Sequence, residues 1–88
     1  MKVYDNFLLR KVADSYVVVP VGKATLDFNG MITLNETGAF LWEHLQKETT
    51  KEELLKCMLD EYTVDEETAK NGIEKFLKKI KEAGLLET

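Results

Sequence analysis

The sequence predicts an α+β fold in which a small antiparallel sheet of three or four strands is followed by three helices. Apolar residues come in short β-branched runs before residue 34, and they recur at intervals of three and four after residue 36. Leu34 ends the strand-like part, and Asn35 is a favoured N-cap residue. This order suits a winged helix-turn-helix-like fold, and 88 residues make a single domain over 1–88.

The predicted sheet begins with a strand at 7–12, which follows a lead-in at 1–6. A turn at Asp14-Ser15 leads to the strongest strand signal, at 16–21. Tyr16 and four valines in this run favour a pleated, partly buried surface.

Proline and glycine mark the expected strand ends and turns in the rest of the sheet. Pro20 cannot donate to a strand ladder, so we expect it at the end of its strand or at a bulge. Two further segments, 24–28 and 31–34, flank Asn29-Gly30, which suits a type I′ hairpin turn. The sequence leaves open whether 24–28 pairs in the ladder.

Three helices are predicted, at about 36–46, at about 51–61 and from 66 to about 83. Gly84 is placed to end the last helix as a left-handed residue, with Leu85 against Ile80 as in a Schellman motif. The cap signals are Asn35, the capping box Thr50-Lys51-Glu52-Glu53, and Asp65. The predicted apolar stripes are Ala39, Leu41, Trp42 and Leu45; Leu54, Leu55, Met58, Leu59 and Tyr62; and Ala69, Ile73, Phe76, Leu77 and Ile80.

Composition and motifs argue against catalysis. His44 and Cys57 are each the only residue of their type and fall on different helices, so we expect no metal site. Neither a glycine-rich phosphate loop nor a nucleophile elbow is present. We therefore predict a binding or interaction module with no cofactor rather than an enzyme.

Charge and cysteine content bound the partners and the compartment. The net charge of −4 argues against nucleic acid as a partner, because phosphate neutralisation supplies most of such affinity. There is no apolar run long enough to span a bilayer, so we expect no membrane partner. A single cysteine rules out an internal disulfide framework, which favours a cytoplasmic location.

Three motifs in order carry a resemblance to the PqqD family. Residues 34–42, read as LNETGAFLW, resemble its "LNETGAxxW" signature. Thr50-Lys51-Glu52-Glu53-Leu54 with Tyr62-Thr63-Val64 resembles its "T-x-EEL … Y-x-V" segment. Residues 76–86 resemble its "FLxxLxxxGLL" ending. The resemblance covers the chain from about residue 7 onward.

The resemblance implies a recognition element for ribosomally synthesised, post-translationally modified peptides. Such domains bind the leader of a precursor peptide and present it to a modifying enzyme, often a radical S-adenosylmethionine (SAM) maturase. The founding member serves pyrroloquinoline quinone (PQQ) synthesis, a pathway to which we do not assign this chain. An exposed strand edge gives the physical mechanism, because an extended peptide can add to it as a further strand.

The resemblance also indicates where the peptide would lie, against the third strand and one side of the last helix. In this sequence the strand residues are Met31, Ile32, Thr33 and Leu34, of which we expect Ile32 and Leu34 to face the core. On the helix, the residues expected to border the groove are Lys70, Ile73 and Leu77, with the last two equally explained as core. Lys70 is a candidate to attract an acidic leader.

Two alternatives remain. A winged-helix DNA-binding protein would need a basic recognition helix, yet the central helix carries two lysines against four acidic residues. The same strand edge could instead form a homodimer.

Overall fold

The computed structural model describes residues 1–22 and 32–87, which form two small sheets and three helices. The strands are β1 (Lys2–Val3), β2 (Phe7–Val12), β3 (Ser15–Pro20), β4 (Ile32–Leu34) and β5 (Leu86–Glu87). The helices are α1 (Glu36–His44), α2 (Lys51–Glu61) and α3 (Glu66–Glu82). The predicted α+β class is confirmed. The Asn29-Gly30 turn, the 24–28 segment and Met31 lie outside the described residues.

The larger sheet is antiparallel and has the order β2-β3-β4. Val12 pairs with Ser15, so the turn consists of Ala13 and Asp14, one residue before the predicted Asp14-Ser15. Ala13 takes the left-handed conformation that this turn requires, with φ +55°. Pro20 is the last residue of β3, as predicted, and no ladder bond is lost inside the strand.

The second sheet joins the two ends of the described chain. Lys2 and Val3 of β1 pair with Glu87 and Leu86 of β5, so the prediction of a plain lead-in at 1–6 is wrong. A two-residue strand has too few positions to show alternation, which is why its pattern is absent from the sequence. Val3 is 1% exposed and donates to the carbonyl of Leu45 at 2.9 Å, which ties this sheet to the end of α1.

All three helices begin at the predicted caps. The carboxamide oxygen of Asn35 accepts a hydrogen bond of 2.7 Å from the N–H of Gly38. The Thr50 hydroxyl oxygen accepts one of 3.2 Å from the N–H of Glu53. The Glu53 carboxylate accepts from the Thr49 hydroxyl at 2.9 Å, so only half of the predicted capping box forms in its usual way. Asp65 is the N-cap of α3, although its side chain makes no cap hydrogen bond of regular geometry.

The end of α3 is the predicted Schellman motif. Gly84 has φ +78°, and its N–H donates to the carbonyl of Lys81 at 3.1 Å. The N–H of Leu85 donates to the carbonyl of Ile80 at 2.9 Å. These two bonds satisfy carbonyls that a helix end otherwise leaves without partners. Ile80 and Leu85 are both fully buried, so the motif also fixes the approach of β5.

The core lies between the helices and one face of the larger sheet. Trp42 is 1% exposed, as expected for a core residue rather than an exposed anchor. The predicted stripe of α3 is buried at every position, whereas α2 buries only Leu54 and Met58 and leaves Leu59 37% exposed. The other core members include Val3, Phe7, Val18, Leu34, Leu41, Leu45, Ile73, Phe76, Ile80, Leu85 and Leu86.

Candidate functional site

Strand β4 lies at an edge of the larger sheet. Among the described residues it pairs only with β3, in the register Tyr16–Leu34, Val17–Thr33 and Val18–Ile32. The carbonyl of Thr33 accepts a hydrogen bond of 3.0 Å from the Lys79 ammonium group on α3, so this carbonyl points away from β3. In an antiparallel ladder the N–H and C=O of one residue point to the same side, and the N–H of Thr33 therefore faces the edge as well. Thr33 thus directs its N–H and its carbonyl, the latter hydrogen-bonded to Lys79, away from β3, where no other strand of the described residues pairs with β4.

A cavity of about 440 Å³ adjoins this edge. Its first wall is the β4–α1 junction, including Leu34, Asn35 and Gly38. Its second wall is α3, and Met58, Tyr62 and Val64 complete the lining from α2 and the following loop. The cavity combines an apolar floor with a rim of polar side chains, which is the usual composition of a ligand site.

The wall contributed by α3 is one stripe of the helix. Thr68, Gly72, Lys75 and Lys79 follow one another at intervals of four, three and four, and all line the cavity. Ala69 and Phe76 lie beside this stripe and are buried. Gly72 leaves open space in the wall, since an added Cβ there would meet no atom within 4 Å.

The close approach of α1 to α3 is made possible by Gly38. A Cβ at this position would lie 3.2 Å from the Asn35 carboxamide oxygen, 3.3 Å from the Leu34 Cβ and 3.4 Å from the Phe76 ring. The glycine of the LNETG segment therefore allows a tight contact, and the structure gives a packing reason for a residue that is unfavourable inside a helix.

Tyr62 lines the cavity and packs against an aromatic pair of α1 that lies outside the lining. The Phe40 ring meets Tyr62 edge to face at 5.3 Å between ring centroids, and it meets His44 at 4.5 Å. Burial raises the pKa of the Tyr62 phenol, and the carboxylates of Glu36 and Glu61 raise it further. The Tyr62 phenol, which lies on the cavity wall, therefore holds its proton more tightly than an exposed tyrosine does.

Asp65 stands directly before α3. The Thr68 hydroxyl lowers the pKa of the Asp65 carboxyl, because it favours the charged form. This carboxylate is at the N-terminus of α3, where a negative charge complements the helix dipole.

The structure separates the residues that the sequence assigned to the site. Leu34 is 3% exposed and lines the cavity, Thr33 presents its backbone to the edge, and Ile32 is half-buried against the core. Ile73 and Leu77 are buried in the core and are not part of the cavity wall.

Lys70 is exposed and lies away from the cavity. It is nine positions from Lys79, which is about two and a half turns of α3, so the two lysines point in opposite directions. Peptide binding by the predicted residues stays a prediction, but the helical wall of this site is the Thr68–Gly72–Lys75–Lys79 stripe. The signal that sequence reasoning missed is Gly72, a glycine inside a helix with no turn or close contact to explain it.

Other kinds of site are not apparent in the described part of the chain. Within residues 1–22 and 32–87, no three His, Cys, Asp or Glu side chains come together in a way that could hold a metal ion. No helix in these ranges is both long and apolar enough to cross a membrane.

Fold and site together define a small winged-helix-like α+β domain in which a helix-lined cavity adjoins β4, a strand that pairs only with β3 within the described residues. The family model of coenzyme PQQ synthesis protein D (PqqD) matches residues 15–86, and the chain belongs to this family. The prediction of the family from the three motifs is confirmed. No curated protein matches the sequence.

Two solved structures share the fold. The chain is similar to TbiB1 in complex with the TbiA(beta) leader peptide, with a TM-score of 0.76, 24% identity, and coverage of 99% of this chain and 95% of that one. It is also similar to a lasso peptide synthetase B1 complexed with the leader peptide, with a TM-score of 0.74, 17% identity, and coverage of 99% and 96%. At these identities the likeness establishes the fold.

Proposed function

We propose that this protein binds the leader segment of a precursor peptide and delivers it to a modifying enzyme, without chemistry of its own. The observation that carries the proposal is the edge of β4, which presents the N–H and carbonyl of Thr33 beside a cavity of about 440 Å³. An extended peptide would pair with this edge and place alternate side chains over α3.

Membership of the PqqD family supports this role. Further support comes from the two structures of the same fold, each of which holds a leader peptide. The modifying enzyme in our proposal is a radical SAM maturase, and the binding takes place in the cytoplasm. The chain itself holds no cofactor in this scheme.

The peptide site in the proposal has a strand part and a helix part. The strand part is Met31, Ile32, Thr33 and Leu34, of which Ile32, Thr33 and Leu34 form β4. The helix part is Gly72, Lys75, Phe76 and Lys79, which line the cavity. Backbone pairing at β4 would fix the register, and the cavity would select the side chains that face it.

An NMR titration tests the assignment. The ligand is a synthetic leader peptide from the precursor gene adjacent to this one, added to ¹⁵N-labelled protein. We expect the largest amide shifts at residues 32–34 and at the cavity-lining residues of α3. Saturable shifts confined to another surface, or no shifts at all, would contradict the proposal.

A glycine substitution tests the cavity itself. Gly72→Leu should fill the open space in the wall and weaken peptide binding by at least about tenfold, as expected when a bound group is displaced from a packed site. Gly72→Ala is the matched control, because one added methyl has room and leaves most of the cavity open. Equal affinity of the leucine variant and the parent would exclude this cavity as the binding site.

The same edge could join two copies of the chain, which is the competing use of an open strand. Size-exclusion chromatography with and without peptide separates the two cases. If a dimer dissociates when peptide is added, the peptide and the second copy of the chain compete for β4. If a dimer binds peptide without dissociating, the dimer interface lies on a surface other than β4.

A further inference from the structure

Lys79 occupies the position that a further strand would need. Its ammonium group donates a hydrogen bond of 3.0 Å to the carbonyl of Thr33, the central residue of β4. This carbonyl faces the open edge, where the N–H of an added strand would otherwise donate to it. In the unbound protein, a lysine side chain from α3 therefore takes the place of one backbone donor of the missing strand.

The cavity beside this contact is positively charged in an acidic protein. Within residues 1–22 and 32–87, the charged residues that line the cavity are Lys75 and Lys79, and no Asp or Glu of these ranges lines it. The whole chain carries a net charge of −4, so this sign is local to the site. Lys75 and Lys79 are both exposed and make no ion pair within the described part of the chain, which leaves their charge available to a ligand.

We propose that the Lys79 ammonium is an exchangeable cap on β4: it occupies the Thr33 carbonyl in the free protein and leaves it when a leader peptide binds. The leader peptide supplies a carboxylate, and the released ammonium pairs with it. This inference rests on the proposed function. The peptide N–H takes over the Thr33 carbonyl, and the released ammonium pairs with an acidic side chain of the peptide. An extended peptide without that carboxylate releases the Lys79 ammonium to water and gains no ion pair in exchange. The cap thereby favours acidic leaders over other extended segments.

Strand geometry determines which positions of the bound peptide could carry the carboxylate that pairs with Lys79. The peptide residue opposite Thr33 points its side chain to the same face as Thr33, which is the exposed face. The residues before and after it point to the opposite face, where Leu34 is buried and α3 packs. These two peptide positions are the ones that face Lys79.

The spacing of Lys75 and Lys79 along α3 is close to the spacing of side chains on one face of a strand. Lys75 and Lys79 are four residues apart, a rise of about 6 Å along a helix. Residues two apart in a strand repeat the same face after about 6.7 Å. For a peptide strand that runs along α3, acidic residues at the two positions that flank the residue opposite Thr33 repeat at nearly the spacing of the two ammonium groups.

A double-mutant cycle tests the exchange. The ligands are the leader peptide that binds in the titration and its analogue in which the flanking acidic residues are replaced by Gln or Asn. We expect the parent protein to bind the acidic peptide about fivefold more tightly, which is the upper range for a solvent-exposed ion pair. Lys79→Met should bind the two peptides within about twofold of each other, and added salt should shrink the parental difference.

Lys81→Met is the matched control. Lys81 is an exposed lysine on the same helix, about 200° around the axis from Lys79, and it should keep the fivefold preference of the parent. The carbonyl ¹³C shift of Thr33 in the free protein provides a second readout, because loss of its donor should move it in Lys79→Met and not in Lys81→Met. A preference that stays near fivefold in Lys79→Met would overturn the inference and leave leader binding at β4 intact. Absence of any peptide binding by the parent would overturn both.

Discussion

The Asn35 carboxamide oxygen and the N–H of Gly38 form a hydrogen bond of 2.7 Å, and the Cβ that Gly38 lacks would lie 3.2 Å from the same oxygen. One short segment therefore both begins α1 and allows Phe76 of α3 to approach it closely. Because Asn35 and Gly38 also line the cavity, the segment that identifies the family sets the shape of the proposed site.

Asn35→Ala should lower the free energy of unfolding by about 1 kcal/mol, the usual cost of losing a side-chain N-cap. The reason is that the N–H of Gly38 loses its acceptor. Chemical denaturation measures the change, and Asn35→Asp is the control because a carboxylate oxygen can accept the same bond. An alanine variant as stable as the parent would show that the cap contributes little.

Gly38 in α1 and Gly72 in α3 should respond to alanine in opposite directions. Gly72→Ala should raise the free energy of unfolding by about 1 kcal/mol, because alanine is the better helix former and has room there. Gly38→Ala should lower it by about 1 kcal/mol. The same gain in helix propensity is outweighed by crowding against Asn35, Leu34 and Phe76, since overpacking costs roughly 1–3 kcal/mol.

Both glycine variants can be measured by urea denaturation under identical conditions. A stabilising Gly38→Ala would contradict the packing argument for that glycine. A destabilising Gly72→Ala would indicate a structural role for Gly72 that its open surroundings do not show. The expected result would leave ligand access as the remaining reason for a glycine in the middle of α3.

Local signals in the sequence were sufficient to predict most of the fold. The caps at Asn35 and Thr50 and the Schellman ending at Gly84 depend on neighbours within about six residues, and all three form. The β1–β5 pairing joins residues more than eighty positions apart, and nothing local in Lys2-Val3 marks it. Long-range pairing of very short strands is decided by tertiary packing, which one sequence does not display.

The proposed site was only half predictable for a similar reason. Alternation within residues 31–34 correctly placed Leu34 in the core, because strand faces follow a period of two. On α3, the intervals of three and four located the buried stripe but not which flank of it meets β4. Lys70 and Lys79 are equivalent in the sequence pattern, and only the packing of α3 against the sheet distinguishes them.

The turn between β2 and β3 is strained at Ala13. A non-glycine residue at φ +55° costs roughly 1–2 kcal/mol. Glycine avoids this cost, but it loses more backbone conformational entropy on folding than alanine does, which offsets part of the gain. Ala13→Gly should therefore raise the free energy of unfolding by about 0.5 kcal/mol. Ala13→Val should lower it, because a β-branched side chain is the least tolerant of this conformation. A valine variant as stable as the parent would show that the turn relaxes out of the left-handed region.

Tyr62 should make the protein lose stability at alkaline pH. Burial and the nearby Glu36 and Glu61 raise the pKa of its phenol in the folded state, so the folded protein holds this proton more tightly than the unfolded chain. The free energy of unfolding should then fall as the pH rises past the ordinary tyrosine pKa of about 10, and the stabilisation from Tyr62 is fully present below that pH.

Denaturation at a series of alkaline pH values measures the slope of the unfolding free energy with pH. Tyr62→Phe should flatten this slope, because it removes the phenol whose pKa differs between the folded and unfolded states. An unchanged slope in Tyr62→Phe would mean that the alkaline loss arises at another group.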